Sequence, residues 1–159
     1  MTGFEPPRGW HRLRTNDAHA AGEPLRVVVE GYPPLPGASI LEKREAARRQ
    51  HDHLRRALML EPRGHADMYG CVLTPPVTAD GDAGILFLHN EGYSTMCGHG
   101  IIAATKVALD CGLLTPSGAD EPIVRFDTPA GRVTARPELD DDGRVTSVSF
   151  LNVPSFVLA

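Results

Sequence analysis

GILFLHNEGYSTMCGHGIIAATKVALDCGLL, residues 84–114, decides the architecture. Its first six residues, Gly84 to His89, are a short apolar run that predicts a buried strand. Its last fourteen, Ile101 to Leu114, carry only two charges, Lys106 and Asp110, four residues apart. Charges at that spacing share one side of a helix, so most of the circumference is free to be buried. The small residues Ala103, Ala104, Thr105 and Ala108 let strands approach closely. The pattern predicts a central helix held inside a curled sheet.

Working outward, Leu25 to Glu30 (LRVVVE) and Cys71 to Thr74 read as further strands. Ile123 to Asp127, Arg132 to Arg136 and Arg144 to Phe150 follow. Turns at Pro129-Ala130-Gly131 and Asp140 to Gly143 separate these three, which predicts an antiparallel meander. Residues 31–37 (GYPPLPG) are excluded from regular structure by three prolines. Ser39 and Glu42 have capping-box spacing, and the charged run to Met59 is rich in helix formers. Pro62 stops that helix. Its Arg, Glu and Gln residues are expected in solvent, with Ile40, Ala47, Leu54 and Leu58 turned inward. Residues 1–10 read as a loose arm, and the apolar FLNVPSFVLA at 150–159 reads as a chain cut where another segment begins. Strands and helices are partly segregated, so the expected class is α+β with a mixed, mostly antiparallel sheet.

Composition narrows the function. The chain has 159 residues, 42% hydrophobic and 23% charged, which suits one folded domain. Sixteen Lys and Arg against twenty Asp and Glu leave a net charge of −4. A nucleic-acid binder would carry a basic excess. No apolar stretch approaches the roughly 20 residues of a membrane span. No secretory signal is visible, and a cytoplasmic location is expected. Three cysteines, Cys71, Cys97 and Cys111, are too few and too irregularly spaced for a disulfide framework or a zinc site. No cofactor or metal is called for.

The densest chemical segment is HNEGYSTMCGHG, residues 89–100. It puts Cys97 on the turn entering the buried helix. Unpaired amides and the positive end of the helix dipole favour an anion there. That predicts a lowered thiol pKa and a thiolate available as base or nucleophile. The same amides, at Gly98, His99 and Gly100, suit a substrate carboxylate or phosphate. His99 has three readings: a donor to substrate, a partner for a carboxylate, or a helix cap. Cys71, in a strand, and Cys111, deep in the helix, read as inert buried thiols. Asp17, His19 and Glu23 either orient a site or form a polar turn that starts the sheet. Tyr69 either lines an apolar pocket or is a core aromatic with a wet tip.

MCGHG at 96–100 resembles the first catalytic motif of the proline racemase family, and DAHAAGEPLR at 17–26 resembles its N-terminal motif, with Ala20 where Thr is usual. Residues 51–70 and NVPSF at 152–156 match in position. HNEGYSTMCGHGIIA looks most like the trans-3-hydroxy-L-proline dehydratase branch. The resemblance implies half of a diaminopimelate-epimerase-like fold, in which two similar halves close over the substrate. It implies Cys97 as an acid/base, Gly98 and His99 on the substrate carboxylate, and Tyr69 against the proline ring. The family's second motif, ending in Gly-Thr-Gly, does not occur in these residues, so 1–159 is expected to be an N-terminal half-domain. The implied partners are a proline or hydroxyproline substrate, the second half-domain and a second copy of the chain.

Three functions follow from these readings. The first is dehydration of trans-3-hydroxy-L-proline with Cys97 as α-proton base. The second is a proline racemase or 4-hydroxyproline epimerase using two thiols. The third is a non-catalytic carboxylate-binding half-domain. A cysteine hydrolase is poorly supported, because only His99, on the same turn, is near Cys97 in sequence.

Overall fold

A helix with one polar stripe needs apolar neighbours on most sides, and a sheet can supply them by curling. The computed structural model, which describes residues 5, 7–118 and 121–154, has this arrangement. Its strands are β1 (Arg14–Ala20), β2 (Glu23–Glu30), β3 (Tyr69–Thr74), β4 (Ala83–His89), β5 (Tyr93–Ser94), β6 (Val124–Thr128), β7 (Gly131–Leu139) and β8 (Val145–Leu151). Its helices are α1 (Ile40–Gln50), α2 (Asp52–Met59) and α3 (Gly98–Asp110). The sheet order is β1-β2-β3-β4-β6-β7-β8. Among the described residues only the β2–β3 and β4–β6 pairs are parallel. The α+β class and the β6-β7-β8 meander agree with the sequence reading.

The central helix α3 touches both edge strands, β1 and β8, as well as β2, β3 and β7. One helix can meet both edges of a sheet only if the sheet wraps around it. Ile101, Ala104 and Ala108 are fully buried, and Ala103 and Thr105 nearly or wholly so. Full burial of a side chain the size of Ile101 contributes about 2–3 kcal/mol. The polar stripe closes the far end. Lys106 reaches Asp110 at 2.8 Å and the Val145 carbonyl at 2.5 Å, and Val145 N–H donates to Asp110 at 2.9 Å.

β4 divides its second edge between two neighbours. Ala83 and Gly84 pair with β6, whereas Phe87 and Leu88 pair with β5. Side chains alternate along β4. Ile85 and Phe87 face α3, and Leu86 and Leu88 face α1 and α2 on the outer layer. The chain therefore leaves β4 at His89, folds back on it as β5 and then enters α3.

Three expectations change. The single helix to Met59 is two, broken at His51, which caps both. Its capping box at Ser39 and Glu42 is present, and Ile40, Ala47, Leu54 and Leu58 are buried as expected. However, Lys43 and Arg55 are buried too, because each ends on backbone carbonyls: Pro75 for Lys43, His89 and Asn90 for Arg55. The segment around Asp17 and His19 is an edge strand rather than only a turn. Its two-residue hairpin places Ala21 at φ 52° and Gly22 at φ 100°, the pair of positive values a type I′ turn requires. The terminal tail from residue 155 and residues 1–4 and 6 of the arm lie outside the described residues.

Asp127 at the end of β6 is 4% exposed and holds the loop after β3. It accepts from Val77 N–H at 2.8 Å, Thr78 N–H at 3.0 Å, the Thr78 hydroxyl at 2.9 Å and Arg132 Nε at 3.0 Å. Burial would raise its pKa, but these donors outweigh it and hold the carboxyl below its ordinary value. Asp17 and Asp52, each bound to an arginine, are lowered as well. Such groups stabilise the fold above the ordinary carboxylate pKa near 4, and that contribution is lost as pH falls through their folded-state values. Asp127→Asn is expected to cost about 2 kcal/mol in urea unfolding at pH 7 and to flatten the loss of stability on acidification. An unchanged acid dependence would contradict the role given to Asp127.

Candidate active site

The turn after β4 is built before the thiol is reached. Arg55 donates to the His89 and Asn90 carbonyls at 2.9 and 2.6 Å, and Asp52 holds its other edge at 2.6 Å. Asn90 Nδ2 donates to the carbonyls of Met59 and His65 at 2.7 and 2.9 Å. Neither Arg55 nor Asn90 was singled out from sequence. The signal available was the three-residue spacing of Asp52 and Arg55 on one helix face.

Cys97 is the N-cap of α3, with extended backbone at φ −149°, ψ 108°. The helix begins at Gly98, three residues earlier than the apolar pattern alone indicates. Close packing explains the glycines around the thiol. A Cβ on Gly100 would lie 2.9 Å from the Cys97 sulfur and 3.0 Å from the Phe87 ring. One on Gly98 would meet Phe150 of β8 at 3.4 Å. No described residue accepts a hydrogen bond from the amides of Gly98 and His99, so the first turn of α3 presents free donors.

The four residues expected at a site are brought together. The Cys97 sulfur lies 3.5 Å from His99 Nδ1 and 3.7 Å from Nε2. The Tyr69 ring meets His99 edge-on, with centroids 4.9 Å apart. Tyr69 is half-buried and packs against the α3 core. Gly98 stands between Cys97 and His99 at the head of the helix.

The expected electrostatics of the thiol are corrected. Cys97 is 7% exposed, and burial among Phe87, Ile101 and their neighbours raises its pKa. The Gly100 amide pulls the other way but does not win. A helix N-terminus favours the thiolate, yet desolvation by the surrounding apolar walls costs more.

The other candidates separate from this cluster. Asp17 grips Arg26 through two bonds of 2.8 and 2.7 Å, and Arg26 continues to the carbonyls of Leu58 and Arg63. His19 Nδ1 accepts from Gly22 N–H inside the hairpin, and Glu23 is exposed. Asp17 and Arg26 tie β1 and β2 to α2. Cys71 is fully buried and its thiol is pushed far up by burial. Cys111 is not deep in the helix. It is the exposed C-cap of α3, 3.1 Å from Asn16 Nδ2. Among the described residues no carboxylate hydrogen-bonds His99, so no Cys-His-carboxylate triad is assembled, and no three His, Cys, Asp or Glu side chains are grouped to hold a metal. No helix among them is long and apolar enough to cross a membrane.

Comparison with known proteins gives this geometry a lineage. The proline racemase family profile matches residues 16–159. The trans-3-hydroxy-L-proline dehydratase of Bacillus thuringiensis subsp. konkukian is 51% identical over 143 residues, which cover 90% of this chain and 42% of that protein. The Homo sapiens trans-3-hydroxy-L-proline dehydratase is 50% identical over 149 residues, again 42% of its length. A solved hydroxyproline epimerase from Agrobacterium vitis, with bound trans-4-hydroxy-L-proline, superposes with a TM-score of 0.82 at 29% identity. That match covers 91% of this chain and 42% of the other. The chain thus spans less than half the length of these relatives. The match extends over nine-tenths of the chain and includes the Cys-Gly-His-Gly turn, and on that ground the chain belongs to the proline racemase family.

Proposed function

We propose that residues 1–159 supply one half of a cofactor-independent enzyme that removes the α-proton of a proline derivative, and that the reaction is dehydration of trans-3-hydroxy-L-proline. The observation that carries this is a buried thiol at the head of α3, in contact with His99 and beside free helix amides. The half-identical dehydratases support the choice of reaction.

The chemistry makes specific demands. The α-C–H of an amino acid is weakly acidic, so the base must be strong and the developing negative charge must be held. Free amides at Gly98 and His99, with the helix dipole behind them, offer the carboxylate two donors that strengthen as charge grows. Burial makes Cys97 a stronger base once deprotonated and a scarcer thiolate at neutral pH. A closed, dry cleft favours such a base, which is the contribution we assign to a second half-domain. Tyr69 would then pack on the ring face. Unpaired Cys71, Cys97 and Cys111 support a reducing, cytoplasmic compartment, and a second copy of the chain remains a proposed partner.

The likeness to a hydroxyproline epimerase structure favours a second reading, in which a second thiol faces Cys97. Inversion needs an acid and a base on opposite faces, whereas water loss needs one α-proton base. The residue facing Cys97 from the other half decides between them.

In the protein that carries both halves, Cys97→Ser is expected to cut turnover at least about 100-fold while calorimetry still detects bound substrate. Unaltered turnover would contradict the role. The 159-residue chain alone is expected to be inactive, and normal turnover by it would overturn the two-half reading. Alkylation of the Cys111→Ser chain by iodoacetamide should show a midpoint above the ordinary thiol value of about 8.5. A lower midpoint would show that the helix dipole outweighs burial.

A further inference from the structure

We propose that His89 is the specificity-determining residue of this half, and that its Nε2–H donates a hydrogen bond to the ring hydroxyl of the substrate. The proposal rests on the reading of substrate class above. The argument starts from the register. Tyr69 pairs with His89, and Cys71 with Phe87, across β3 and β4. Phe87 and Cys71 face α3, so alternation puts His89 and Tyr69 on that same concave face, one step nearer the end where Cys97 emerges. The rings bear this out: Tyr69 lies 5.8 Å from His89 and 4.9 Å from His99, centroid to centroid. Tyr69 therefore links His89 to the thiol cluster.

Below His89 this wall is apolar. Ile85, Phe87 and Cys71 are fully buried under α3 and hold no polar group for a hydroxyl. His89 is the polar group that ends the row. Its ring is oriented by its own turn, because Nδ1 accepts from the Glu91 N–H at 3.3 Å. An accepting Nδ1 leaves the proton of the neutral ring on Nε2. Nε2 makes no hydrogen bond to any described residue. The backbone beneath is fixed, since His89 N–H donates to the Gly92 carbonyl at 3.0 Å and its carbonyl takes the buried Arg55. A half-buried donor on a rigid strand end, beside the ring-binding aromatic, fits recognition of a substrate hydroxyl.

The test measures ligand affinity, not rate. In the two-half protein carrying Cys97→Ser, so that nothing is turned over, calorimetry compares trans-3-hydroxy-L-proline with L-proline. His89→Phe, which keeps an aromatic ring on Tyr69, should weaken the hydroxylated ligand about tenfold and leave L-proline unchanged. His89→Gln, which keeps an N–H donor, should retain most of the preference. An unchanged ratio in His89→Phe, or an equal loss for both ligands, would overturn the proposal. Failure of the parent protein to bind either ligand would overturn the functional reading and this proposal with it.

Discussion

The burial of α3 is the constraint on which the rest of this fold depends. Its sequence leaves one polar stripe, Lys106 and Asp110, and that stripe is used to fasten β8. Every other side must be covered by strands, and the sheet has to curl until β1 and β8 both touch the helix. Small side chains at Ala103, Ala104 and Ala108 set how tightly it can do so. The N-terminus of a helix enclosed in this way has its dipole and free amides directed out of the apolar interior, and they emerge beside Phe87, Phe150 and Tyr69.

Placing a thiol at that point sets two forces against each other. Amides and dipole favour the thiolate, while Phe87 and Ile101 strip it of water and favour the neutral form. At Cys97 burial prevails. For proton abstraction from carbon that balance is coherent, because a base with a raised pKa is better matched to a weak carbon acid than one tuned to persist as an anion. Glycine at position 100 follows from the same crowding, since a side chain there would strike the sulfur and the Phe87 ring.

The sequence made the parts governed by local pattern readable. The apolar run before His89, the two-charge helix, the capping box at Ser39 and the meander each have a short-range cause. The Cys-Gly-His-Gly turn was legible for the same reason, as was the grouping of Cys97, Gly98 and His99. Tyr69 was placed by resemblance rather than by pattern. What escaped depends on partners distant in the chain. β1 is a polar edge strand with weak alternation, and its turn puts an alanine, not asparagine or glycine, at φ 52°. Arg55 looks like a surface charge until His89 and Asn90, more than thirty residues on, supply its carbonyls. The thiol pKa departs from its sequence expectation because the helix terminus is visible in sequence and the strands packed around it are not.

Deuterium exchange at the α-carbon tests the central claim most directly. L-proline has no ring hydroxyl to lose, so proton removal by the two-half protein in D2O is read without elimination. The account predicts deuterium at the α-carbon of recovered L-proline, and none after Cys97→Ser. Exchange that survives the substitution, or that never occurs with Cys97 in place, would contradict it.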